Sequence, residues 1–547
     1  MNSLALCLSL LSMLLCHHIV AGELWEQRHH FGTKTPYYPL QDPSTYTPIP
    51  DKCHVHYVNL VARHGTREPT SGDQRDLSAL ESLLVEKKDA IINPDYAWLK
   101  EWKNPFRENE AGLLVTPGEQ QHYQIALRMR EEYPSIFNYS FLESRYFIES
   151  TQVSRAGRSA NAFAYGLFEG KGDIGVSRYD PFFIQTYNGT LDRELRFFDL
   201  CTNYVEDIAN NPSAREESTK YSEKMLPHIA DKISHLLGGE NPTWMITSEN
   251  VEAMWSACVF EVSVQNLTDQ FCTLFDEELT AIMDYRDDLK QYWLKSYGYP
   301  LNYEMACPLM QDMVDAFDKA IAYNGAAEFA PKADLRFAHA ETVIPFLSLL
   351  GFYKESEPPM ADSSEAFKQT RQWRSSVLAP FASNVAIVLY KCSGGQTYKV
   401  KVLHNEQEMQ VPSCSGSIYC DYEEFKAIYQ KPLTQCDFDL MCGISNDPCQ
   451  SASSASSSDA PSSSSSSSSS SCNDEETDIS QWNLTQSKGI MALVIGCLGG
   501  VLIGMLLSLL IFVIWQFVQR RNKGVQVVGK EHYNLVNGSF PSDEVVL

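Results

Sequence analysis

The sequence has little positive charge. Its 547 residues include 44 Lys and Arg against 69 Asp and Glu, so the formal net charge is -25 and the sequence pI is near 4.9. This deficit argues against nucleic acid or an anionic membrane surface as a general partner. An anionic small molecule stays compatible, but its pocket must be built from a few convergent arginines and lysines. The chain also lacks an internal repeat, and its length suffices for one large domain or two moderate ones.

Charge is absent altogether between Lys488 and Arg520. The apolar core of this segment, residues 490–515, is long enough to span a bilayer as a tilted helix. Arg520, Arg521 and Lys523 follow it and place the C-terminus in the cytoplasm. Two overlapping G-x-x-x-G spacings are compatible with a homodimer through this helix, and the alternative is the general frequency of glycine in membrane spans: Gly496, Gly500 and Gly504.

A second apolar run, residues 4–20, is followed by the small residues Ala21 and Gly22. It is typical of a secretory signal peptide, with a retained N-terminal anchor as the alternative. A Ser-rich stretch that cannot bury apolar surface precedes the span. The sequence therefore predicts a type I membrane protein with signal peptide 1–22, ectodomain 23–450, flexible stalk 451–488, transmembrane helix 489–518 and cytoplasmic tail 519–547. The plasma membrane or an endolysosomal membrane is its expected location.

No Cys-x-x-Cys pair occurs, so the cysteines do not indicate zinc. Of the 15 cysteines, Cys7, Cys16 and Cys497 fall in the predicted signal and span, which leaves twelve. An even number on the predicted oxidising side indicates disulfides. Four sequons on that side are candidate glycosylation sites: Asn138, Asn188, Asn266 and Asn483.

The segment 61–69, VARHGTREP, carries the strongest chemical signal. Residues 54–61 alternate loosely between apolar and polar side chains, which predicts a strand. His64 then leaves the C-terminal end of that strand, where open α/β sheets place their ligands. The guanidiniums of Arg63 and Arg67 suit the oxygens of a phosphoryl group, and the imidazole can attack its phosphorus. A surface turn is the alternative interpretation.

Two further segments repeat this arrangement of a strand followed by a turn. Residues 146–150 predict a short strand that leads into a helix presenting Arg155. Residues 334–345 predict a strand that ends at His339 and Glu341. Between them, residues 210–325 are mostly helical in pattern and rich in aromatics, which predicts a helical cap inserted over the sheet. Residues 384–390 and 398–403 are the clearest late strands.

Together these residues supply a covalent phosphohydrolase. His64 would attack phosphorus, and the surrounding cations would lower its pKa and keep it neutral. Glu341, protonated, would hand its proton to the leaving alkoxide. The charge on the phosphoryl oxygens would be neutralised by Arg63, Arg67, Arg155 and His339. No metal or other cofactor is needed.

The R-H-G-x-R-x-P pattern with a distant His-containing motif resembles the histidine acid phosphatase branch of the histidine phosphatase superfamily. Within that branch, segments 31–35 (FGTKT), 283–293 (MDYRDDLKQYW) and 297–299 (YGY) are similar to the multiple inositol polyphosphate phosphatases. So is His339-Ala340-Glu341, where acid phosphatases and fungal-type phytases carry His-Asp. The similarity runs from about residue 24 to residue 445.

This resemblance implies an α/β domain, with a sheet flanked by helices and an inserted α-helical cap. It implies hydrolysis of phytate and lower inositol phosphates, extending to 2,3-bisphosphoglycerate. It also implies the disulfides Cys53–Cys392, Cys258–Cys272 and Cys414–Cys420, with Cys201 paired to Cys436 or Cys442. The best-known vertebrate members end in a retention signal for the endoplasmic reticulum. This chain ends DEVVL, so that location is not carried over.

Two alternative functions remain at this point. A broad acid phosphatase of the lysosomal type is also type I, but the His-Ala-Glu motif disfavours it. A catalytically inactive adhesion or receptor ectodomain would be expected to have lost the site residues, and all of them are present. Two basic residues near the motifs have weaker claims. Arg158 is interpreted as an exposed helix residue, and Lys34 as either a phosphate ligand or a surface lysine.

Overall fold

A computed structural model describes residues 27–392, 397–416 and 418–444. The predicted signal peptide, stalk, transmembrane helix and tail lie outside these residues, as do Asn483 and the Gly496, Gly500 and Gly504 spacing. Among the helices that are described, none combines the length and the apolar character needed to cross a membrane.

The described residues form one seven-stranded mixed sheet. Its strands are β1 His54–Arg63, β2 Tyr146–Ser150, β3 Ala333–Ala338, β4 Asn384–Lys391, β5 Tyr398–His404, β6 Gln407–Met409 and β7 Cys420–Asp421. The order is β2-β3-β1-β4-β5-β6, with β7 paired to β5. β2, β3 and β1 run parallel, whereas β4 and β5 are antiparallel to their neighbours. This is the α/β fold class that the sequence predicts.

The following helices either pack on a face of the sheet or pack mainly against one another. They are α1 Ser71–Lys87, α2 Thr116–Glu132, α3 Ser154–Phe168, α4 Glu216–Gly238, α5 Ser248–Gln265, α6 Glu277–Lys295, α7 Cys307–Ala322, α8 Ala340–Leu349, α9 Glu365–Thr370 and α10 Tyr422–Ile428. Leu60 of β1 lies in one core with residues of α2 and α3, and Val61 lies in another core with residues of α7 and α8. β1 is therefore buried on both faces, as the central strand of such a sheet should be.

A separate hydrophobic core unites α1, α4, α5 and α6. Its members include Trp255 of α5 and Leu289 of α6, together with Phe31 of the entry segment. This helical assembly spans most of the region for which the sequence predicts a cap. Phe31 therefore packs the segment that precedes β1 against the helical assembly.

Five disulfides are formed among the described cysteines. The three pairs that the resemblance implies are present, and Cys201 pairs with Cys442. The fifth, Cys307–Cys436, joins α7 to the C-terminal part of the domain and has no counterpart in the sequence analysis. The three described sequon asparagines are exposed, as glycosylation requires: Asn138, Asn188 and Asn266.

Candidate active site

The predicted catalytic residues lie where three neighbouring parallel strands end. His64 follows β1, His339 follows β3, and Thr151 follows β2 and leads into α3, which carries Arg155. The ladder continues past the strand ends, since His64 N donates to Ala338 O at 3.0 Å. The structure thus brings together residues that are far apart in sequence, at the edge where parallel sheets place ligands.

The turn after β1 is held in place by α2 and α3. A Cβ atom at Gly65 would lie 2.3 Å from Gly118 O, and one at Gly118 would lie 2.2 Å from Thr66 O. Thr66 N donates to Gln121 Oε1 at 2.9 Å, and Gly65 N donates to Ser159 Oγ at 3.0 Å. Only glycine allows the turn and the helix to approach this closely. Gly118 cannot be recognised as a site residue from its own segment, where Thr116 and Pro117 are typical only of the start of a helix.

His64 is oriented as a nucleophile. Its side chain is buried, and Nδ1 lies 2.9 Å from Gly65 O. A carbonyl oxygen only accepts hydrogen bonds, so Nδ1 carries the proton and Nε2 has a free lone pair. The pKa of His64 lies well below its ordinary value, because of burial first and then the charges of Arg63, His339, Arg155 and Arg67. The imidazole is therefore neutral across the physiological pH range.

Arg63 and Arg155 have hydrogen-bonding capacity to spare. The Arg63 guanidinium lies 4.6 Å from the centre of the Phe381 ring and donates from Nη1 to Thr33 O and, at 2.7 Å, to Ala379 O. The Nε atoms of Arg63 and Arg155 are both buried without a hydrogen-bond partner. Burial lowers the pKa of Arg63 to about 9. Buried charged donors left unpaired are costly, so the arrangement favours an anion in the site.

Arg67 links the catalytic turn to the helical cap. Its guanidinium lies 5.9 Å from the centre of the Phe260 ring on α5 and donates to Glu68 O at 2.7 Å. Lys34 lies over the same ring, at 5.8 Å. Burial lowers the pKa of Arg67. The cap and the entry segment therefore add to the positive wall of the site.

His339 is a neutral ring beside His64. It lies edge-on to His64 with ring centres 5.6 Å apart, and its Nε2 lies 3.0 Å from Thr151 Oγ1. Its pKa is lowered to about 3, chiefly by burial, while Glu341 raises the pKa and the nearby arginines lower it. The neutral ring therefore offers a phosphate oxygen a hydrogen bond and not a full positive charge.

Glu341 lies in the first turn of α8, where Lys295 Nζ donates to its Oε1 at 2.8 Å. Burial raises the pKa of Glu341, but the charge and hydrogen bond of Lys295 outweigh it and hold the pKa well below its ordinary range. Glu341 is therefore a carboxylate in this arrangement, whereas a proton donor needs the neutral acid. Lys295 cannot be recognised from the sequence, because nothing local in α6 points to a partner in α8.

Arg158 and the cysteines of one possible metal-binding group are already engaged in other interactions. Arg158 is exposed, donates to Leu114 O at 3.0 Å and pairs with Glu119, so it is engaged outside the site. In the described part of the chain, the single group able to surround a metal ion is Cys414, Cys420 and Glu424, and its two cysteines form a disulfide.

Comparison with known proteins agrees with this geometry. The histidine phosphatase superfamily (branch 2) matches residues 54–405. Multiple inositol polyphosphate phosphatase 1 of Dictyostelium discoideum is 32% identical over 444 residues, which cover 73% of this chain and 69% of that protein.

Two solved structures share the fold. The phytase from D. castellii has a TM-score of 0.63 and 18% identity, covering 77% of this chain and 88% of its own. The Bifidobacterium longum multiple inositol polyphosphate phosphatase, solved as a complex with inositol hexasulfate, has a TM-score of 0.58 and 18% identity, covering 73% and 97%.

Proposed function

Because this chain belongs to the histidine phosphatase superfamily (branch 2), and within it to the multiple inositol polyphosphate phosphatases, we propose that it hydrolyses phytate and lower inositol polyphosphates. The observation that carries the proposal is the neutral His64, with Nε2 free, surrounded by arginines whose buried Nε atoms have no partner. 2,3-Bisphosphoglycerate, which also carries more than one phosphate, is a further candidate substrate.

The first step transfers the phosphoryl group to the protein. Nε2 of His64 forms a bond to phosphorus as the bond from phosphorus to the inositol oxygen breaks. Arg63, Arg67 and Arg155 stabilise the charge on the phosphoryl oxygens, where it is spread in the transition state. Glu341 delivers a proton to the leaving alkoxide, which departs as an alcohol.

The second step restores the histidine. A water molecule attacks the phosphorus of the phosphohistidine, the P–N bond breaks, and inorganic phosphate leaves. Glu341, now a carboxylate, is placed to accept a proton from that water. One water is consumed and one phosphate is released for each ester cleaved.

The cap supports a substrate with several phosphates. Lys34 and Lys290 lie close enough to interact electrostatically, and burial together with Lys34, Arg286 and Lys295 lowers the pKa of Lys290 against the effect of Asp287. Lysines crowded in this way can bind a further phosphate group of the substrate. The B. longum structure was solved with a ligand carrying six sulfate groups, and the Dictyostelium relative is named for inositol polyphosphates.

Phosphate release from phytate is the decisive measurement. We expect the purified full chain in detergent to hydrolyse phytate without added metal. Its kcat/KM should exceed that for glycerol 2-phosphate by about ten-fold or more, since one extra charge-assisted hydrogen bond contributes about 1.5–3 kcal/mol. Turnover of p-nitrophenyl phosphate alone would indicate a general acid phosphatase instead. No turnover by folded protein would favour the receptor interpretation.

Two arginines of α3 provide a matched control for this experiment. Arg155→Met should lower kcat/KM for phytate by roughly 10²-fold, because it removes a charged phosphate ligand. Arg158→Met, one turn further along, should change kcat/KM by less than about two-fold, because exposed ion pairs contribute little. Equal losses in both variants would mean that the helix, and not a phosphate contact, was disturbed.

We also propose that the catalytic domain lies outside the cytosol, anchored by the predicted helix 489–518, in the plasma membrane or an endolysosomal membrane. The five disulfides support an oxidising compartment. If the protein lies in the plasma membrane, a membrane-impermeant biotin reagent should label the ectodomain on intact cells. If it lies in an endolysosomal membrane, the reagent should label the ectodomain only after the organelles have been lysed. An antibody to residues 530–547 should bind only after permeabilisation. Recovery of the intact chain without membranes would contradict the anchor.

A further inference from the structure

The ion pair between Lys295 and Glu341 joins the cap to the catalytic edge of the sheet. Lys295 is the last residue of α6, and Glu341 lies in the first turn of α8. Their Nζ and Oε1 atoms are 2.8 Å apart, and the side chains are 15% and 38% exposed. The pair is thus partly shielded from water, and its carboxylate is the more exposed partner.

The pKa values of several basic residues and one tyrosine in the described part of the chain depend on this carboxylate. Lys295 of α6 and His339 of the turn before α8 face it. Four further groups interact electrostatically with it: Arg63 at the end of β1, Arg67 in the turn that follows, Arg155 in α3, and Tyr204. Glu341 is therefore the counter-ion of the cations proposed to bind phosphate.

A bound phosphoryl group supplies the arginines with a second counter-ion beside Glu341, but it does not supply one to Lys295. The Nε atoms of Arg63 and Arg155 have no hydrogen-bond partner and can donate to a phosphate oxygen. Lys295 already donates to Glu341, and it approaches from the cap, next to Lys290. A substrate with a single phosphate has no second anion to offer on the cap side. A substrate with several phosphates does.

We propose that Lys295 is a positioning residue that keeps Glu341 ionised. When a second phosphate group of the substrate binds the ammonium group of Lys295, the ion pair is broken. Glu341 can then be protonated and act as the acid. The proton comes from solvent water, passes to Glu341 and is delivered to the leaving oxygen as the P–O bond breaks. This mechanism rests on the proposed function and extends it, because it makes the second phosphate a requirement for full acid catalysis. Preference for polyphosphates then arises in the chemical step as well as in binding.

The test compares Lys295→Met and Lys295→Arg with the unmodified full chain on three substrates. Phytate has several phosphates, glycerol 2-phosphate has one phosphate and a poor leaving group, and p-nitrophenyl phosphate has a leaving group that needs no proton. The pH profile of kcat/KM reports the free enzyme, so the alkaline fall in activity reflects loss of the proton from the acid. Removing a neighbouring cation raises the pKa of a carboxyl group and moves that fall to higher pH.

For Lys295→Met, we expect the alkaline limb for glycerol 2-phosphate to move up by about one pH unit or more. At pH 6 its kcat/KM should rise several-fold while that for phytate falls, so that the preference for phytate narrows by roughly ten-fold. Turnover of p-nitrophenyl phosphate should stay within about two-fold. Lys295→Arg, which retains the charge, should leave the alkaline limb in place.

Two results would overturn the proposal. One is an equal loss on all three substrates with an unshifted limb, which indicates a purely structural role for Lys295. The other is an unshifted limb for glycerol 2-phosphate in folded Lys295→Met protein. If the unmodified chain cleaves glycerol 2-phosphate but not phytate, the proposed substrate class fails, while the limb shift still decides the role of the pair.

Discussion

Replacing His64 by alanine is expected to lower phosphate release from phytate by about 10⁴-fold or more, since the variant has no nucleophile with which to form the covalent intermediate. The physical basis is the orientation of this ring, with Nδ1 committed to Gly65 O and Nε2 free. Its neutrality at physiological pH follows from burial and the surrounding positive charge. Initial rates on phytate measure the loss of phosphate release. Trapping of radiolabelled phosphate on the protein in an alkaline quench measures the loss of the covalent intermediate.

The matched control for this experiment is His54→Ala. His54 is exposed at the opposite end of the same strand, so its removal should alter turnover by less than about two-fold. The unmodified chain and His54→Ala should both retain acid-labile label, and His64→Ala should retain none. Residual turnover above one part in about 100, or label that persists in His64→Ala, would assign the nucleophile to another residue.

Gly118→Ala should lower kcat by roughly 10²-fold, although the substituted side chain touches no substrate. Alanine within a helix is ordinarily favourable by about 0.5–1 kcal/mol relative to glycine. Here the added methyl group would lie 2.2 Å from Thr66 O and 2.6 Å from Thr66 N, both backbone atoms. The turn that carries His64 must move to accommodate it, and such a displacement misaligns the nucleophile. The unfolding temperature should fall as well.

Gly72→Ala is the control, because a Cβ there meets nothing nearer than Thr70 Oγ1 at 3.7 Å. We expect this variant to match the unmodified chain in turnover and to unfold at the same or a slightly higher temperature. If Gly118→Ala kept full activity, the close contact between α2 and the catalytic turn would not determine the position of the nucleophile.

The sequence predicts that the candidate site residues lie close together, and it does so for a specific physical reason. His64, Arg155 and His339 each follow a short strand, and strand ends can be recognised from local patterns of apolar residues. The carboxyl ends of parallel strands then converge on one edge without further information. The segments that carry the resemblance, such as 283–293, indicate the family but do not reveal which residues they contact.

What the sequence could not predict depends on packing between distant elements. The pairing of Lys295 with Glu341 requires the end of α6 to meet the start of α8. The role of Gly118 requires α2 to touch the catalytic turn. Neither contact leaves a periodic trace in its own segment. For the same reason, the sequence does not reveal that Lys295 keeps Glu341 ionised.

The order of strands in the sheet has a consequence for how this protein folds. β1 precedes the catalytic turn and lies between β3 and β4, which begin at Ala333 and Asn384. The bond between Cys53 and Cys392 spans 339 residues. Closing contacts over such distances along the chain is entropically expensive and slow, and it leaves strand edges exposed in the meantime. The catalytic turn is thus synthesised early in the domain, and we expect it to be fixed in place only after the last long strands have emerged.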